Sequence, residues 1–468
     1  VVASGGGPLD AAVAAAAALA VAYPHQCSAG GDLVALVRSA DGETRAVLSI
    51  GAAAAGIDLT GHQRMPFSGP LTITVPGVVA GWARIAALGA RLPLADLLAP
   101  AIALATDGVA VSAGLRRATA DRLDAVRTDP GLSELLLDAA GDPRDVLYQP
   151  ALAATLRAVA DDWTSFYRGR LAERLVAGLA RLGSPLGTAD LAAHEPEVAE
   201  PLSTTVGAAT WYAAPPPTQG ATLLAVLGSP DPLTDARRAR AARDALLGDP
   251  RGGPVDVDAL RLRTPAAISA TEAGERPRGD TVAVTAVGAD GTAVTLIQSV
   301  FQSFGSGLLE PTTGVVLHNR GASFTLRTGH PGRVRPGMRP PHTLCPSLAV
   351  APGTVVALGC QGGRSQAWIL AQVAADVLDA DDLAALVARP RWVIGSHEID
   401  RDADTLLLEP GTPDADRLVR VATELGLAVE TTPEAHDDAG HVQVARLRSG
   451  AVDAAGDPRA DGYGTTLV

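Results

Sequence analysis

The stretch GERPRGDTVAVTAVGADGTAVTLIQS, residues 274–299, contains a threonine whose position would allow chemistry. Thr281 directly follows Asp280 and begins an alternating, β-rich run. A threonine hydroxyl is a weak nucleophile until a base removes its proton. If the chain were cut between Asp280 and Thr281, the new α-amine, with a pKa of about 8, would supply that base within the same residue. The alternative is that Gly279 and Asp280 simply form a turn before a strand.

A second candidate element is the segment ALGCQGGRSQAW, in which a strand leads through Gly362 and Gly363 into a helix. Backbone N–H groups at such a glycine-rich turn can point together at an anion and form an oxyanion hole. Loss of one such donor typically raises a reaction barrier by about 3 kcal/mol. A tight turn without a ligand is the alternative. A phosphate-binding loop is disfavoured, because the lysine that such loops use is absent.

The elements around these residues can be predicted from periodicity and turn residues. Alternating or short apolar runs predict strands at 33–38, 45–50, 281–287, 293–298, 315–318, 347–351 and 355–358. Helices are predicted at 10–23 and 367–378, and helical patterning continues to about residue 190. The segment 250–279 is rich in Pro, Gly and charge, so we predict an exposed linker there. This order favours layers of α and β structure over a βαβ repeat.

Composition excludes several classes of function. Of the 468 residues 47% are hydrophobic, which predicts a globular protein with a large core. The net charge of −13 disfavours a nucleic acid partner, because an acidic surface repels a phosphate backbone. Cys27, Cys345 and Cys360 lack the spacing of a metal site or a disulfide scaffold, so we expect no metal and no cofactor. No apolar run reaches transmembrane length, which disfavours a membrane partner. A cytoplasmic location is slightly favoured over a secreted or periplasmic one.

Ordered blocks along the chain resemble the γ-glutamyltranspeptidase family of N-terminal-nucleophile hydrolases. In the first half these blocks are SGGGPLDAAVAAAAALAVAYPH, SAGGD, TVPGVVAGW, LPLADLLAPAIALATDGVAVS, SFYRGRLAERLV and WYAAPPPTQG. In the second half they are GDTVAVTAVGADGTAVTLIQS, FGSGLLEPTTGVVLHN, MRPPHTLCPSL and GCQGGRS. The resemblance implies an α+β fold, the four-layer αββα sandwich. It also implies that a precursor cuts itself into a large subunit, 1–280, and a small subunit, 281–468, which together form one structural unit.

The resemblance also assigns roles to particular residues. Thr281 matches the family's catalytic threonine, and Ser299 matches the hydroxyl residue that positions and activates it. Gly362 and Gly363 match the pair that forms the oxyanion hole. In self-cleavage the Thr281 hydroxyl would attack the Asp280 carbonyl and give an ester that water hydrolyses. The mature enzyme would then form an acyl-enzyme and release the acyl group to water or to another acceptor.

Two polar residues near the start of the chain have structural interpretations. His25 lies in the Pro-containing turn YPHQCSAGGD and is expected to be structural rather than catalytic. Asp32 follows Gly30 and Gly31 directly, so we expect its carboxylate to cap or hydrogen-bond that turn.

The positions that would hold the α-carboxylate and α-amine of a γ-glutamyl group depart from the family's pattern. The substituted positions are residues 51–54 in place of an expected arginine, Phe301 in place of asparagine, Arg320 and Ser323 in place of acidic or amide residues, and His342-Thr343 in place of a serine pair. We predict that Phe301, Arg320, Ser323, His342 and Thr343 instead bind a substrate whose anionic group lies elsewhere. The alternatives are a salt bridge for Arg320, a hydrogen-bonded core histidine for His342 and space filling for Phe301.

The sequence therefore predicts a self-cleaving threonine hydrolase that acts on a small molecule other than an ordinary γ-glutamyl compound. Some homologues in 4-alkylproline antibiotic pathways are credited with hydrolysis of a carbon–carbon bond next to a keto group, and this is the leading specific substrate class. Amide hydrolysis is the other candidate. The rivals are a conventional γ-glutamyl hydrolase or transferase and an uncut, non-catalytic binding protein. The two subunits from one precursor are expected to form a heterodimer, with a dimer of heterodimers as a further option.

Overall fold

The computed structural model describes residues 1–265 and 280–467, so most of the second half of the predicted linker at 250–279 lies outside the described residues. The strands are β1 (Asp32–Arg38), β2 (Thr44–Ser49), β3 (Val109–Ala110), β4 (Val146–Leu147), β5 (Glu197–Ala199), β6 (Leu202–Val206), β7 (Ala209–Ala213), β8 (Asp280–Val287), β9 (Ala293–Phe301), β10 (Leu308–Glu310), β11 (Val315–Leu317), β12 (Ser347–Ala351), β13 (Thr354–Gln361), β14 (Trp392–Gly395), β15 (Thr405–Leu408), β16 (Ala428–Thr431), β17 (His441–Arg448) and β18 (Ala451–Gly456). The helices are α1 (Pro8–Ala22), α2 (Val78–Ala87), α3 (Leu94–Asp107), α4 (Ala113–Asp121), α5 (Leu123–Thr128), α6 (Pro130–Leu136), α7 (Pro150–Asp161), α8 (Arg170–Arg181), α9 (Thr188–Ala192), α10 (Gly220–Val226), α11 (Pro232–Leu246), α12 (Val257–Leu260), α13 (Gln366–Ala374), α14 (Leu383–Ala388) and α15 (Ala415–Glu424). Every strand predicted from the sequence is present, with only its ends shifted.

Two antiparallel sheets face each other at the centre of the molecule. The first has the strand order β5-β2-β1-β9-β8, and the second has the order β18-β17-β13-β12-β7-β6. Strand β8 of the first sheet packs against β13 and β17 of the second. The space between the sheets is filled by apolar side chains such as Leu36, Ile297 and Leu348. Burial of each such side chain contributes about 1.5–3 kcal/mol, which holds the two sheets together.

Helices cover the outer face of each sheet. Helices α1 and α2 pack on the first sheet, α3 packs on α1, and α7 packs on α3, so that Leu97 and Leu156 join the same apolar cluster as Leu33 of β1. Helices α10 and α13 pack on the second sheet and α11 packs on these two helices; Trp368 of α13 lies in one cluster with Val442 of β17. The result is a helix–sheet–sheet–helix sandwich, which confirms the predicted αββα class. None of the helices within the described ranges has the length and apolar character needed to span a bilayer.

The first sheet combines segments from both sides of the predicted cut. Strands β1, β2 and β5 precede Thr281 in the chain, whereas β8 begins at Asp280 and β9 follows it. Strand β9 lies between β1 and β8 and is buried at every position. A cut before Thr281 would therefore leave two chains that share one sheet and one core.

Strand β9 is held in place by a buried glutamine next to Ser299. The Nε2 atom of Gln298 donates a hydrogen bond to the carbonyl oxygen of Ala16 in α1, at 2.7 Å. Its Oε1 atom accepts one from Nε1 of Trp82 in α2, at 3.0 Å. Because successive strand residues face opposite sides, Ser299 points away from this helical layer. These bonds therefore fix the position from which Ser299 reaches Thr281.

Candidate active site

Thr281 lies in a β-bulge at the start of β8. Asp280 is paired with Phe301 of β9, but Val282 is already paired with Gln298, so the register shifts at Thr281. A bulge redirects a side chain out of the regular ladder and is common beside active sites. Only 2% of Thr281 is exposed. The predicted nucleophile is thus held at the edge of the sheet in a buried, irregular position.

The hydroxyl of Ser299 joins Thr281 to the peptide bond that precedes it. Thr281 Oγ1 donates to Ser299 Oγ at 3.3 Å, and Ser299 Oγ donates to the carbonyl oxygen of Asp280 at 2.5 Å. The N–H of Phe301 donates to the same Ser299 oxygen at 2.7 Å. Ser299 therefore uses its single proton and both lone pairs. This arrangement can carry a proton from the threonine hydroxyl towards the carbonyl oxygen as the hydroxyl attacks.

The predicted oxyanion turn lies at the same end of the sandwich. Strand β13 packs against β8, and its last residue, Gln361, lines the same cavity as Thr281. Gly362 and Gly363 follow at φ values of 147° and 49°, which glycine adopts without strain. Nothing in the described part of the chain accepts a hydrogen bond from the N–H of either glycine. Both N–H groups therefore lack an acceptor within the described residues, as the predicted oxyanion hole requires.

Gln219 braces this turn, and the sequence analysis did not single it out. Its Nε2 atom donates to the carbonyl oxygen of Gly363 at 2.9 Å and to that of Thr343 at 2.5 Å. Its Oε1 atom accepts from Nη1 of Arg243 at 2.7 Å. Only 1% of Gln219 is exposed. The available signal was a glutamine in the segment PPPTQGA between a buried strand and a buried helix.

Arg320 brings four of the predicted substrate-binding residues into one cluster. Its Nη1 atom donates to Oγ of Ser323 at 3.4 Å and to Oγ1 of Thr343 at 3.2 Å. Its Cζ atom lies 3.9 Å from the centroid of the Phe301 ring. We call these four residues the arginine cluster. Because Arg320 is bonded to Ser323 and Thr343 and stacked on Phe301, its guanidinium plane is fixed.

One edge of the Arg320 guanidinium has no partner. Its Nε and Nη2 atoms are buried and make no hydrogen bond within the described residues. These two N–H groups share one edge of the guanidinium, and their spacing matches the two oxygens of a carboxylate. Burial lowers the pKa of Arg320 to about 9, and the charge of Asp32 partly counters this effect. The group therefore stays charged near neutral pH and can bind an anion.

Asp32 lies at the centre of a buried network behind the arginine cluster. Its Oδ1 atom accepts from the N–H of Gly51 at 2.9 Å, and its Oδ2 atom accepts from Nε2 of His342 at 3.2 Å. Nδ1 of His318 lies 3.5 Å from the same Oδ2 atom. Burial raises the pKa of Asp32 to about 7, although the Gly51 bond and the charge of Arg320 oppose this rise. The prediction that Asp32 hydrogen-bonds the preceding turn is wrong, because its carboxyl group contacts three other segments.

The ring of His342 is fully engaged inside the protein. The N–H of Leu344 donates to Nδ1 at 3.2 Å, so the neutral ring carries its proton on Nε2 and donates it to Asp32. Burial and the nearby charge of Arg320 lower the pKa of His342 well below its usual value. Since both nitrogens have protein partners, the geometry favours a hydrogen-bonded core histidine over a direct substrate contact.

A cavity of about 970 Å³ reaches Thr281 from the side of α1 and β17. Thr281 and His441 are among its lining residues, whereas Arg320 is not. On its other side Thr281 is linked through Ser299 to the main chain of Phe301. Thr281 therefore lines the cavity on one side. On the other side it is connected through Ser299 and Phe301 to the arginine cluster.

The cysteines offer no alternative nucleophile. Burial raises the pKa of Cys27 and of Cys345 to about 12, and it raises the pKa of Cys360 well above its usual value. Thiol attack requires the thiolate, which is scarce at such pKa values.

Comparison with known proteins agrees with this fold. Residues 1–467 match the family model described as gamma-glutamyltranspeptidase. The oxamate amidohydrolase proenzyme of Klebsiella pneumoniae is 38% identical, with 98% of this chain and 94% of that protein covered. The glutathione hydrolase-like YwrD proenzyme of Bacillus subtilis is 32% identical over the same shares. The crystal structure of cephalosporin acylase from Bacillus halodurans matches with a TM-score of 0.87 and 26% identity, covering 100% of this chain and 93% of that one. The chain therefore belongs to the γ-glutamyltranspeptidase family and is an enzyme of the N-terminal-nucleophile hydrolase type.

Proposed function

We propose that the chain is the precursor of a self-cleaving threonine amidohydrolase. Its substrate is a small amide that carries a carboxylate next to the reacting carbonyl group, as oxamate does. The observation that carries this proposal is the free, buried edge of Arg320, which is connected through Phe301 to the hydroxyl pair of Thr281 and Ser299. Similarity to a relative named oxamate amidohydrolase proenzyme supports the same substrate class.

Self-cleavage begins with attack of Thr281 Oγ1 on the carbonyl carbon of Asp280. The threonine proton passes to Ser299, and Ser299 gives its own proton to the carbonyl oxygen, along the two hydrogen bonds already present. The tetrahedral intermediate then expels the α-nitrogen of Thr281, which takes a proton, and an ester remains. Water hydrolyses this ester. The products are a large subunit ending at Asp280 and a small subunit beginning at Thr281.

In turnover the free α-amine of Thr281 is the general base for its own hydroxyl. The hydroxyl adds to the amide carbonyl, and the developing oxyanion accepts hydrogen bonds from the N–H groups of Gly362 and Gly363. Collapse breaks the carbon–nitrogen bond as the leaving nitrogen takes the proton held by the α-ammonium group of Thr281, and ammonia leaves. Water then hydrolyses the acyl-enzyme and regenerates the threonine. Each oxyanion donor is expected to contribute about 3 kcal/mol to transition-state stabilisation.

The position of the arginine cluster fits a substrate whose two functional groups are adjacent. In oxamate the carboxylate is bonded directly to the amide carbon, so the anion site must lie close to the nucleophile. Phe301 connects the two sites, because its N–H bonds to Ser299 Oγ while its ring contacts Arg320. We propose that a carboxylate held on the Nε–Nη2 edge of Arg320 directs its adjacent carbonyl group towards Thr281.

Cleavage of the bond between Asp280 and Thr281 would make the arginine cluster accessible to substrate. In the uncut chain Asp280 is the strand residue paired with Phe301, and its carboxylate accepts a hydrogen bond from Ser303. Hydrolysis after Asp280 breaks its bond to Thr281 and leaves it as the C-terminal residue of the large subunit, free to leave its place beside Phe301. We propose that its departure exposes the face of Phe301 and Arg320 that binds substrate, so that activity follows processing.

The position of Gly51 disfavours a conventional γ-glutamyl hydrolase. A methyl group at Gly51 would lie 1.5 Å from the carbonyl oxygen of Val75. No side chain fits there, so residue 51 cannot supply the arginine that the family uses for the α-carboxylate. We therefore expect poor turnover of γ-glutamyl-p-nitroanilide.

Hydrolysis of a carbon–carbon bond next to a keto group is the second candidate. The same threonine could add to the keto carbonyl, and the same arginine could hold an adjacent carboxylate. A carbon leaving group and an amide nitrogen both need a proton, which the α-ammonium group of Thr281 could supply to either. We rank amide hydrolysis first because the chain is similar to a relative named oxamate amidohydrolase proenzyme.

The test is release of ammonia and oxalate from oxamate by the purified, processed protein. We expect saturable turnover of oxamate that is abolished in Thr281→Ala and exceeds turnover of γ-glutamyl-p-nitroanilide. Turnover of the γ-glutamyl compound with none of oxamate would reject the substrate class. A protein that stays uncut and hydrolyses neither compound would instead support the non-catalytic alternative.

A further inference from the structure

We propose that the arginine cluster binds its carboxylate together with one proton, which Asp32 takes up. This inference rests on the anion site of the proposed function and adds that anion binding at this site is coupled to the uptake of a proton. The site would bind an anion as a neutral pair, carboxylate plus proton, and would weaken as the solution becomes alkaline.

The first support is the balance of charge around Asp32. Asp32 and Arg320 are both fully buried, and each lowers the electrostatic cost of the other. The other cation whose charge reaches Asp32 is Arg339, which is paired with Asp249 and Glu197, at 2.8 Å in each case. Arg320 is thus the cation left to balance Asp32. A carboxylate bound to Arg320 would remove that balance, and an unbalanced buried charge is costly enough to be neutralised instead.

The second support is a vacant proton acceptor beside the carboxyl group of Asp32. The Nε2 atom of His318 lies 2.9 Å from the carbonyl oxygen of Thr74 and 3.0 Å from its hydroxyl group; because a carbonyl oxygen can only accept, this geometry favours the proton on Nε2. The neutral ring then presents a bare lone pair on Nδ1. This atom is buried, has no hydrogen-bond partner within the described residues and lies 3.5 Å from Asp32 Oδ2. A proton on Oδ2 would satisfy it.

The third support is that the remaining neighbours of Asp32 cannot supply or absorb the proton. His342 is held neutral and donates from Nε2, as described above. Burial also lowers the pKa of His318, to about 3, so this ring stays neutral. The hydroxyl of Tyr167 feels the charge of Asp32 but donates to the carbonyl oxygen of Pro76 at 3.0 Å. Asp32 is therefore the group in this network that changes its protonation near neutral pH.

The pH range over which anion binding takes up a proton follows from the direction of these pKa shifts. In the free protein burial raises the pKa of Asp32 to about 7, so Asp32 is charged above this pH. An anion on Arg320 raises this pKa further, since it cancels the cation that opposes the rise. Binding thus takes up a proton above about pH 7 and none below about pH 6. The affinity for the anion should fall by up to about tenfold for each pH unit above 7.

The experiment is isothermal titration of the processed protein with glycolate, a carboxylate of similar size that has no amide to hydrolyse. Titrations at pH 8 and at pH 5.5, each in two buffers of different ionisation enthalpy, give the number of protons taken up. We expect close to one proton per site at pH 8 and close to zero at pH 5.5. Asp32→Asn should take up no proton on binding glycolate at either pH, and Arg320→Met should no longer bind glycolate.

The outcomes separate this inference from the proposed activity. Glycolate binding without proton uptake at pH 8 would overturn the inference, as would undiminished uptake in Asp32→Asn or the absence of saturable binding. If Asp32→Asn does not fold, the comparison of the two pH values in the unaltered protein decides the matter alone. Proton-linked glycolate binding without oxamate hydrolysis would reject the activity and leave this inference standing.

Discussion

Thr281 Oγ1 donates a hydrogen bond to Ser299 Oγ over 3.3 Å in the uncut chain. Because Ser299 also donates to the carbonyl oxygen of Asp280, one hydroxyl group joins the attacking atom to the group it attacks. The bulge at Thr281 makes this possible, since a regular strand would turn the side chain out of reach of its own preceding carbonyl group. The first prediction concerns this relay.

Replacing Ser299 with alanine should slow self-cleavage by about 10²–10⁴-fold, because the proton then has no positioned carrier. Denaturing gels of freshly purified protein over time would measure the conversion of the 47.4 kDa chain into two fragments. Ser303→Ala is the matched control. It removes a hydrogen bond to the side chain of Asp280 rather than to its carbonyl oxygen, so cleavage should change by less than about tenfold. Equal rates in the two variants would place the relay elsewhere.

Arg320→Lys should weaken substrate binding although it keeps the positive charge. Lysine cannot offer the paired N–H groups of the Nε–Nη2 edge, and loss of one charged hydrogen bond costs about 1.5–3 kcal/mol. KM for oxamate should therefore rise by roughly 10–150-fold at 1.4 kcal/mol per tenfold change. Arg116→Lys is the control, since Arg116 forms an exposed ion pair with Asp145 at the surface. An unchanged KM in Arg320→Lys would remove the arginine cluster from the substrate site.

Much of the fold could be predicted because its signals are local. Alternating residues and the turn GADG gave β8 and β9, although β9 extends three residues beyond its predicted end, to Phe301. That extension carries Ser299 and was not visible, since the segment SVF has no alternation of polar and apolar residues. It stays in the sheet because Ser299 is paired with Asp32 of β1.

The contacts of the candidate site could not be predicted because they join distant segments. Asp32 and His342 are 310 positions apart, and Gln219 reaches Gly363 over 144 positions. From its neighbouring sequence alone, each of these residues can also be interpreted as an ordinary turn or core residue. Only the packing of the two sheets brings them together. The cluster of Arg320, Phe301 and Thr343 was anticipated as a set of substituted positions, but the free guanidinium edge required the structure.

Gln219→Met should lower kcat because it releases the oxyanion turn. The substitution keeps the volume of the side chain but removes the side-chain donor to the carbonyl oxygens of Gly363 and Thr343. We expect kcat for oxamate to fall by about 10–100-fold and the free energy of unfolding to fall by about 2–4 kcal/mol. The loss in kcat should exceed any change in KM.

Gln372→Met is the control for this effect. Gln372 also donates from Nε2 to two carbonyl oxygens, those of Trp368 and Trp392, each at 2.9 Å, but it lies in α13 facing β14. It should lose similar stability without losing kcat. Equal losses of kcat in both variants would mean that Gln219 acts only through stability.

The buried histidines predict that the protein loses stability in mild acid. Burial lowers the pKa of His25 and His318 to about 3 and that of His194 to about 4, and it also lowers the pKa of His342. The unfolded chain takes up protons on these rings below about pH 6.5, whereas the folded chain does not, so stability falls as the pH falls. At pH 5 four such rings cost about 5 kcal/mol per pH unit. Asp32, whose pKa is raised, opposes this by about 1 kcal/mol per unit.

Urea unfolding at pH 7, 6 and 5 would measure this dependence, using the uncut Thr281→Ala variant so that unfolding does not separate two chains. The slope of the free energy of unfolding near pH 5 should correspond to a net uptake of about three protons, about four on the histidines less about one released by Asp32. His194→Gln should reduce the slope by about one proton, because His194 is a buried neutral ring that packs on Tyr167. His62→Gln, at an exposed position, should leave it unchanged. A slope that His194→Gln does not alter would show that this ring is not the source of the acid sensitivity.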